Sequence, residues 1–82
     1  MQFNNKQIKT RIQVRIDRAE IGNYGDCEPV GESVLELRMT FGSGYRVYFI
    51  ERGLEIIVLL AGGDKSTQSN DIKKAIELSK EI

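Results

Sequence analysis

The first part of the chain carries apolar residues at helical spacing. From Asn4 to about Glu20 they recur at steps of four and three, which places them on one face of an amphipathic α-helix. Gly22 ends this helix and begins a predicted loop that contains Cys27 and extends to Glu32. The apolar positions of the helix are Ile8, Ile12, Ile16 and Ala19.

The middle of the chain alternates apolar and polar residues with a period of two. Segment 34–41 alternates first, a Gly-Ser-Gly loop follows at 42–44, and segment 45–50 resumes the alternation. This pattern predicts two half-buried antiparallel strands, each with one apolar and one polar face. The polar face is formed by Glu36, Arg38, Thr40, Arg46 and Tyr48.

A third strand and a second helix complete the pattern. Segment 54–61 is almost continuously apolar, as expected for the most protected strand, and Gly62-Gly63-Asp64 breaks it. Ser66 or Thr67 is the predicted N-cap of a helix over 68–82. The buried side of this helix is predicted to contain Ile72, Ala75, Ile76 and Leu78.

This order of elements predicts an α+β domain. A helix, three strands and a second helix favour an antiparallel β-meander whose apolar face is covered by both helices. The opposite face of the sheet is then expected to remain open to solvent. We therefore look for function among the polar side chains of that face.

Five polar residues form the candidate site. Arginine binds phosphate through its two-pronged guanidinium group, so cations gathered around one acid suit the binding or cleavage of an RNA backbone. The same residues can also be a cross-strand charge network on a solvated sheet, and their spacing alone favours this second interpretation. The residues are Glu36, Arg38, Arg46 and Tyr48 on the two strands, with Lys65 at the nearby end of the third strand.

Composition narrows the classes of function. With 82 residues the chain is one domain, and its 12 basic and 12 acidic residues give no net charge, so an anion site must be a local patch. It has no histidine and one cysteine, which excludes zinc-finger sites and Ser-His or Cys-His nucleophile pairs. We expect no cofactor and no metal.

The N-terminus does not resemble a secretion signal. No cationic start is followed by a long apolar run, and the longest apolar run, at 56–61, is far shorter than a bilayer span. A cytoplasmic protein without a membrane partner is therefore expected.

Several consecutive motifs resemble the plasmid addiction module killer proteins of the RelE/ParE toxin superfamily, in the HigB-like or phage-derived group. The resemblance runs from about Lys6 to the C-terminus. It is carried by IDRAEIGNYGD at 16–26, PVGE at 29–32, LELR at 35–38, GYRVYF at 44–49 and GGDKSTQ at 62–68.

The resemblance implies the toxin of a type II toxin-antitoxin module with a RelE-like fold. Its partners would be a cognate antitoxin and mRNA on the ribosome, which relatives cleave to inhibit translation. By motif, Arg46 and Arg38 would hold the scissile phosphate with Lys65, and Glu36 would be the catalytic base that activates the ribose 2′-hydroxyl. The flanking arginines are expected to lower the pKa of Glu36.

The chain departs from the family pattern in three ways. Glu36 stands where a RelE-type nuclease carries a second lysine, and Asp71 stands where one carries a tyrosine. Residues 1–82 also resemble a domain without the family's N-terminal strand and helix. We therefore expect an uncovered sheet edge that pairs with the antitoxin or with a second copy of the chain.

A second class of function remains open. The chain can be a non-enzymatic binding module, either a ParE-like toxin that poisons DNA gyrase or an inactive relative that only binds antitoxin. The absence of histidine, the zero net charge and the short N-terminus favour this alternative.

Overall fold

The computed structural model describes residues 5–82, which form two helices and a four-stranded sheet. The predicted α+β class is confirmed, whereas the predicted helix start at Asn4 lies outside the described residues. The elements are α1 (Asn5–Glu20), β1 (Cys27–Gly31), β2 (Val34–Arg38), β3 (Arg46–Arg52), β4 (Glu55–Gly63), a 3-10 turn (Lys65–Thr67) and α2 (Gln68–Ser79).

The sheet is an antiparallel meander in the order β1-β2-β3-β4, so β4, which was predicted to be the most protected strand, lies at an edge, and β3 is the most buried strand. The sheet contains one strand more than the sequence pattern predicts, because the expected loop before Glu32 includes β1, and Cys27 is the first residue of that strand. Pro29 pairs with Leu35 at the edge of the sheet, where a missing N–H is tolerated. The following turn places Glu32 and Ser33 at positive φ. Neither residue is a typical signal for such a turn, so the hairpin is hard to recognise from sequence.

Three predicted boundaries shift. Strand β2 ends three residues before Phe41, although the backbone N–H of Met39 still donates to the carbonyl of Tyr45 at 2.9 Å. Strand β4 continues through Gly63, with Gly62 at a φ of +95°, instead of ending before the glycines. Helix α2 ends at Ser79 instead of Ile82.

The two helices cover opposite faces of the sheet, which corrects the expectation that both lie on one face. In β3, Val47 and Phe49 belong to the core on the α1 side, whereas Tyr48 and Ile50 belong to the core on the α2 side. Successive side chains of a strand point to opposite faces, so these cores are separated by the sheet. The polar face of β2 and β3 is therefore largely covered by α2, and Arg38 at the end of β2 remains partly exposed.

Arg15 joins α1 to the sheet and to the loop before β1. Its Nη1 donates to the carbonyl of Arg38 at 2.7 Å, and its Nη2 donates to the carbonyls of Tyr24 at 3.1 Å and Asp26 at 3.4 Å. The carbonyl of Asp26 also accepts from the backbone N–H of Arg38 at 2.9 Å, so the guanidinium group adds to the backbone pairing that holds this loop against β2. Arg15 thus fixes the loop that leads into β1.

The start of α2 is organised by Asp64. Its carboxylate accepts from the N–H of Ser66 at 2.9 Å, and Thr67 Oγ1 accepts from the N–H of Asp64 at 3.2 Å, which completes a capping box around the 3-10 turn. Thr67 is the N-cap residue of α2, as predicted, but its side chain makes no capping hydrogen bond to that helix, and Oγ1 instead donates to Asp71 at 2.6 Å. A Cβ atom at Gly63 would lie 2.0 Å from Oδ2 of Asp71, so glycine is required for this approach.

We predict that Arg15→Ala lowers the free energy of unfolding by about 1 to 3 kcal/mol, the range for hydrogen bonds made by a charged group. Arg18→Ala, which removes an exposed arginine from the same helix, is the matched control and should change it by less than about 0.5 kcal/mol. Urea denaturation followed by circular dichroism measures both. Equal effects of the two variants would contradict the role given to Arg15.

Candidate functional site

The strand register places four of the five candidate side chains on one face. Glu36 lies opposite Tyr48, and Arg38 lies opposite Arg46, in the antiparallel pair of β2 and β3. The predicted alternation of these residues is confirmed. The two guanidinium groups therefore lie on the same side of the sheet.

Glu36 is the centre of this face. Its side chain has no solvent exposure. Tyr48 Oη donates to Oε2 at 2.8 Å, Gln68 Nε2 donates to the same oxygen at 3.0 Å, and Arg38 Nε donates to Oε1 at 3.0 Å. Arg46 Nε lies 3.9 Å from Oε1. Through Gln68, the carboxylate also connects the sheet to the first turn of α2.

The environment keeps Glu36 ionised. Burial by itself raises the pKa of Glu36, but the hydrogen bonds from Arg38, Gln68 and Tyr48, together with the charge of Arg46, lower it below the usual value for glutamate. Burial and the hydrogen bond to Glu36 raise the pKa of Tyr48, so its hydroxyl remains a donor. Glu36 is consequently a fixed anion that balances the charges of the two arginines.

Arg46 is buried but makes no hydrogen bond from its side chain to another described residue. Only 8% of the side chain is exposed. Its Nε is a buried donor without a partner, because the distance of 3.9 Å to Glu36 is too long for a hydrogen bond. A buried guanidinium group with unused donors is unusual and can bind a ligand anion.

An open cleft of about 530 Å³ brings the three predicted cations together. Arg38 and Arg46 reach it from the strands, and Lys65 reaches it from the 3-10 turn, where its aliphatic carbons lie close to Gly44. The expected convergence on one surface is therefore found, although at a cleft beside α2 instead of on an open sheet. The lining residues are Asp26, Arg38, Met39, Thr40, Gly42, Ser43, Gly44, Arg46 and Lys65.

Three contributors were not recognised in the sequence. Asp26 is the acidic residue among those that line the cleft. Gln68 donates a hydrogen bond to Glu36, and Glu28 accepts one from Arg38 Nη2 at 2.6 Å. Glu28 and Asp26 reach the site only because β1 pairs with β2, and that strand has no clear pattern in the sequence. Gln68 could have been found only from the position of α2.

Glu36 is placed unfavourably for the expected role of general base. It is absent from the cleft lining, is fully buried, and has a lowered pKa. A base must reach the proton that it removes and must have a pKa close to the working pH. The geometry assigns Glu36 the task of holding the arginines.

Other candidate groups have structural roles. Asp71 lies in the first turn of α2 and accepts a hydrogen bond from Thr67. Burial, and to a lesser extent the charge of Glu51, raises the pKa of Cys27, which keeps its thiol protonated. Among residues 5–82, no group of three or more acidic, cysteine or histidine side chains is arranged to hold a metal ion. Neither of the described helices is both long enough and apolar enough to cross a bilayer.

We predict that Glu36→Gln lowers the free energy of unfolding at neutral pH by about 3 kcal/mol, because it leaves buried Arg46 without a counter-charge and Arg38 with Glu28 alone. Since the folded-state pKa of Glu36 is lowered, its contribution is complete above the unfolded pKa of about 4.3 and is lost as the pH falls through the folded value. The difference in the free energy of unfolding between the wild type and the Glu36→Gln variant should therefore shrink below about pH 4.3. Urea denaturation across this range is the measurement, with Glu55→Gln as the exposed control. A difference that stays constant into acid would contradict this role.

The comparison with known proteins gives one clear relationship. An uncharacterized protein of Haemophilus influenzae is 44% identical over 80 residues, which span 98% of this chain and 81% of the relative. No family model matches the chain, and no solved structure matches it. This identity over almost the whole chain shows that it belongs to the same family as the Haemophilus influenzae protein.

Proposed function

We propose that this protein is the toxin of a type II toxin-antitoxin module, a HigB-like member of the RelE/ParE superfamily that cleaves mRNA on the ribosome and inhibits translation. One observation carries the proposal. Arg38, Arg46 and Lys65, the phosphate ligands that the family resemblance implies, all line one cleft. The cleft lies in an antiparallel meander flanked by helices, an α+β architecture compatible with a RelE-like fold.

Arg46 is the residue best prepared to bind a phosphate. Its side chain is held in a mostly buried position and has unused hydrogen-bond donors. An ordered guanidinium group loses little freedom on binding, and its planar fork matches two phosphate oxygens. Binding of a phosphodiester would also supply the partner that its buried donors lack in the protein.

The proposed chemistry is electrostatic. When a ribose 2′-oxygen attacks the adjacent phosphorus, negative charge builds up on the phosphate oxygens, and fixed cations stabilise that charge. Arg46 and Arg38 would contact these oxygens, and Lys65 would contribute a third positive charge from the 3-10 turn. The proton of the 2′-hydroxyl must go to an acceptor other than buried Glu36. Asp26 is the carboxylate that borders the cleft.

The antitoxin is proposed to bind along β4. This strand is at one edge of the sheet and has nine residues, and Val58 within it is 41% exposed. Unpaired strand edges accept an additional strand from another chain. A second copy of the protein can use the same edge, so the isolated chain is proposed to form a homodimer in the cytoplasm.

One observation favours a non-enzymatic alternative. The carboxylate expected to act as base is fully buried and has a lowered pKa, and the chain contains no histidine that could replace it. A cleft that binds phosphate without a base is suited to binding alone. In this alternative the protein poisons DNA gyrase, or it binds antitoxin without being toxic.

We predict that induction of the wild-type chain in bacterial cells stops growth and produces new mRNA ends within translated reading frames. Arg46→Gln should reduce cleavage at least about 100-fold, because one positioned donor to the developing charge commonly contributes that much. Arg18→Gln removes the same charge from the exposed side of α1 and should leave growth arrest intact. Mapping of 5′ ends on total RNA measures the effect.

Two results would contradict the leading proposal. Undiminished toxicity of Arg46→Gln would exclude the cleft as the site of action. Growth arrest with intact transcripts and inhibited DNA supercoiling would instead support the gyrase alternative.

For the edge of the sheet we predict a dimer. Light scattering over a concentration series should show an increase in mass, and Val58→Lys should shift the equilibrium to the monomer because charges at an edge oppose pairing. Leu54→Lys, which changes an exposed side chain just outside the strand, is the control. A monomer at every concentration would count against this interface.

A further inference from the structure

The two arginines of the cleft differ in their pairing. Arg46 makes no hydrogen bond from its side chain to a described residue, whereas Arg38 contacts two carboxylates. Arg38 Nε donates to Glu36 at 3.0 Å, and its Nη2 donates to Glu28 at 2.6 Å. The guanidinium group of Arg38 is therefore hydrogen-bonded to two carboxylates, whereas that of Arg46 is hydrogen-bonded to none in the described part of the chain.

The two carboxylates bound to Arg38 are held very differently. Glu36 is completely buried and accepts hydrogen bonds from three side chains, so it cannot leave without breaking the buried network. Glu28 lies on the edge strand β1 opposite Glu36, its side chain is 56% exposed, and Arg38 is its one side-chain partner among the described residues. Exposed ion pairs of this kind contribute little to stability and are easily exchanged.

Glu28 occupies a position on the guanidinium group of Arg38 that a bound anion could also take. A carboxylate and a phosphate use the same kind of hydrogen bond to a guanidinium group. Glu28 Oε2 is bound to Nη2, a nitrogen at the end of the group, and Arg38 lines the cleft while 30% of its side chain is exposed. An anion that enters the cleft and binds Arg38 meets a donor that is already occupied.

We propose that Glu28 is a specificity-determining residue of the cleft. It acts as an intramolecular anion that a phosphodiester must displace from Arg38. Arg46 receives the phosphate first, and Arg38 joins only when the bound group competes successfully with Glu28. Weakly bound anions therefore contact Arg46 alone, and a correctly placed phosphate recruits both arginines. This inference rests on the proposed phosphate site but requires no RNA cleavage.

The test measures the binding of a non-cleavable 2′-deoxy dinucleoside monophosphate to the full chain. Titrations are followed by the NMR signals of the arginine Nε–H groups, with inorganic phosphate as a second probe. We expect Glu28→Gln to tighten binding about two- to fivefold, the ratio that corresponds to the loss of one exposed ion pair. The Nε–H signal of Arg38 should respond at lower ligand concentration than in the wild type.

The matched control is Glu32→Gln. Glu32 lies in the β1–β2 turn, carries the same charge, and makes no ion pair with any residue in the described part of the chain. It should change affinity by less than half as much as Glu28→Gln. Equal tightening by both variants would mean that only the general charge matters, and it would overturn the proposal.

A double-mutant cycle separates this inference from the proposed function. In an Arg38→Gln background, Glu28→Gln should no longer tighten binding, since the residue for which it competes is absent. The inference is overturned if Glu28→Gln tightens binding in the Arg38→Gln background as much as it does in the wild type. It is also overturned if neither the dinucleotide nor inorganic phosphate binds to the wild type or to the Glu28→Gln variant. If binding and the cycle behave as expected but the protein does not cleave mRNA, the inference stands and the nuclease proposal fails.

Discussion

The ionised carboxylate of Glu36, fully buried between the sheet and α2, is the constraint on which the other features of the site depend. A buried charge is tolerated only when it is paired and hydrogen-bonded, and this one is bound by Arg38, Tyr48 and Gln68, with Arg46 nearby. Removing the charge would leave the arginines to repel each other in a poorly solvated position. The network therefore aligns β2 with β3, connects both strands to α2, and holds two cations at the edge of the cleft.

The same network shows how a chain without net charge could present the proposed anion site. Twelve basic residues are balanced by 12 acidic ones, so attraction at long range is weak. At the cleft, however, the buried carboxylate of Glu36 offsets positive charge of the arginines. Arg38, Arg46 and Lys65 all line the opening. Positioned donors of this kind act at short range and need little rearrangement when a ligand charge develops. In the proposed site, specificity would depend on Glu28, which already pairs with Arg38.

A small domain with one layer of helix on each side of its sheet has two thin cores. Ile12 and Ala19 of α1 pack on one side, and Ala75 of α2 packs on the other. Each helix consequently fixes only one face, and no other strand within residues 5–82 pairs with the outer edges of β1 and β4. This arrangement leaves edges available for partners. It also uses the polar face of the sheet as an interior, which is why charged residues of β2 and β3 are buried under a helix.

The sequence alone determined which residues share a face. A period of two in β2 and β3 placed Glu36, Arg38 and Arg46 together, because alternation along a strand is a local property of the backbone. Helical spacing likewise identified α1 and the buried side of α2. Only the tertiary structure decided that α2 covers the polar face and that β1 brings Glu28 to Arg38. Periodicity fixes the side of a sheet to which a residue points, but which element covers that side depends on contacts between segments far apart in the chain.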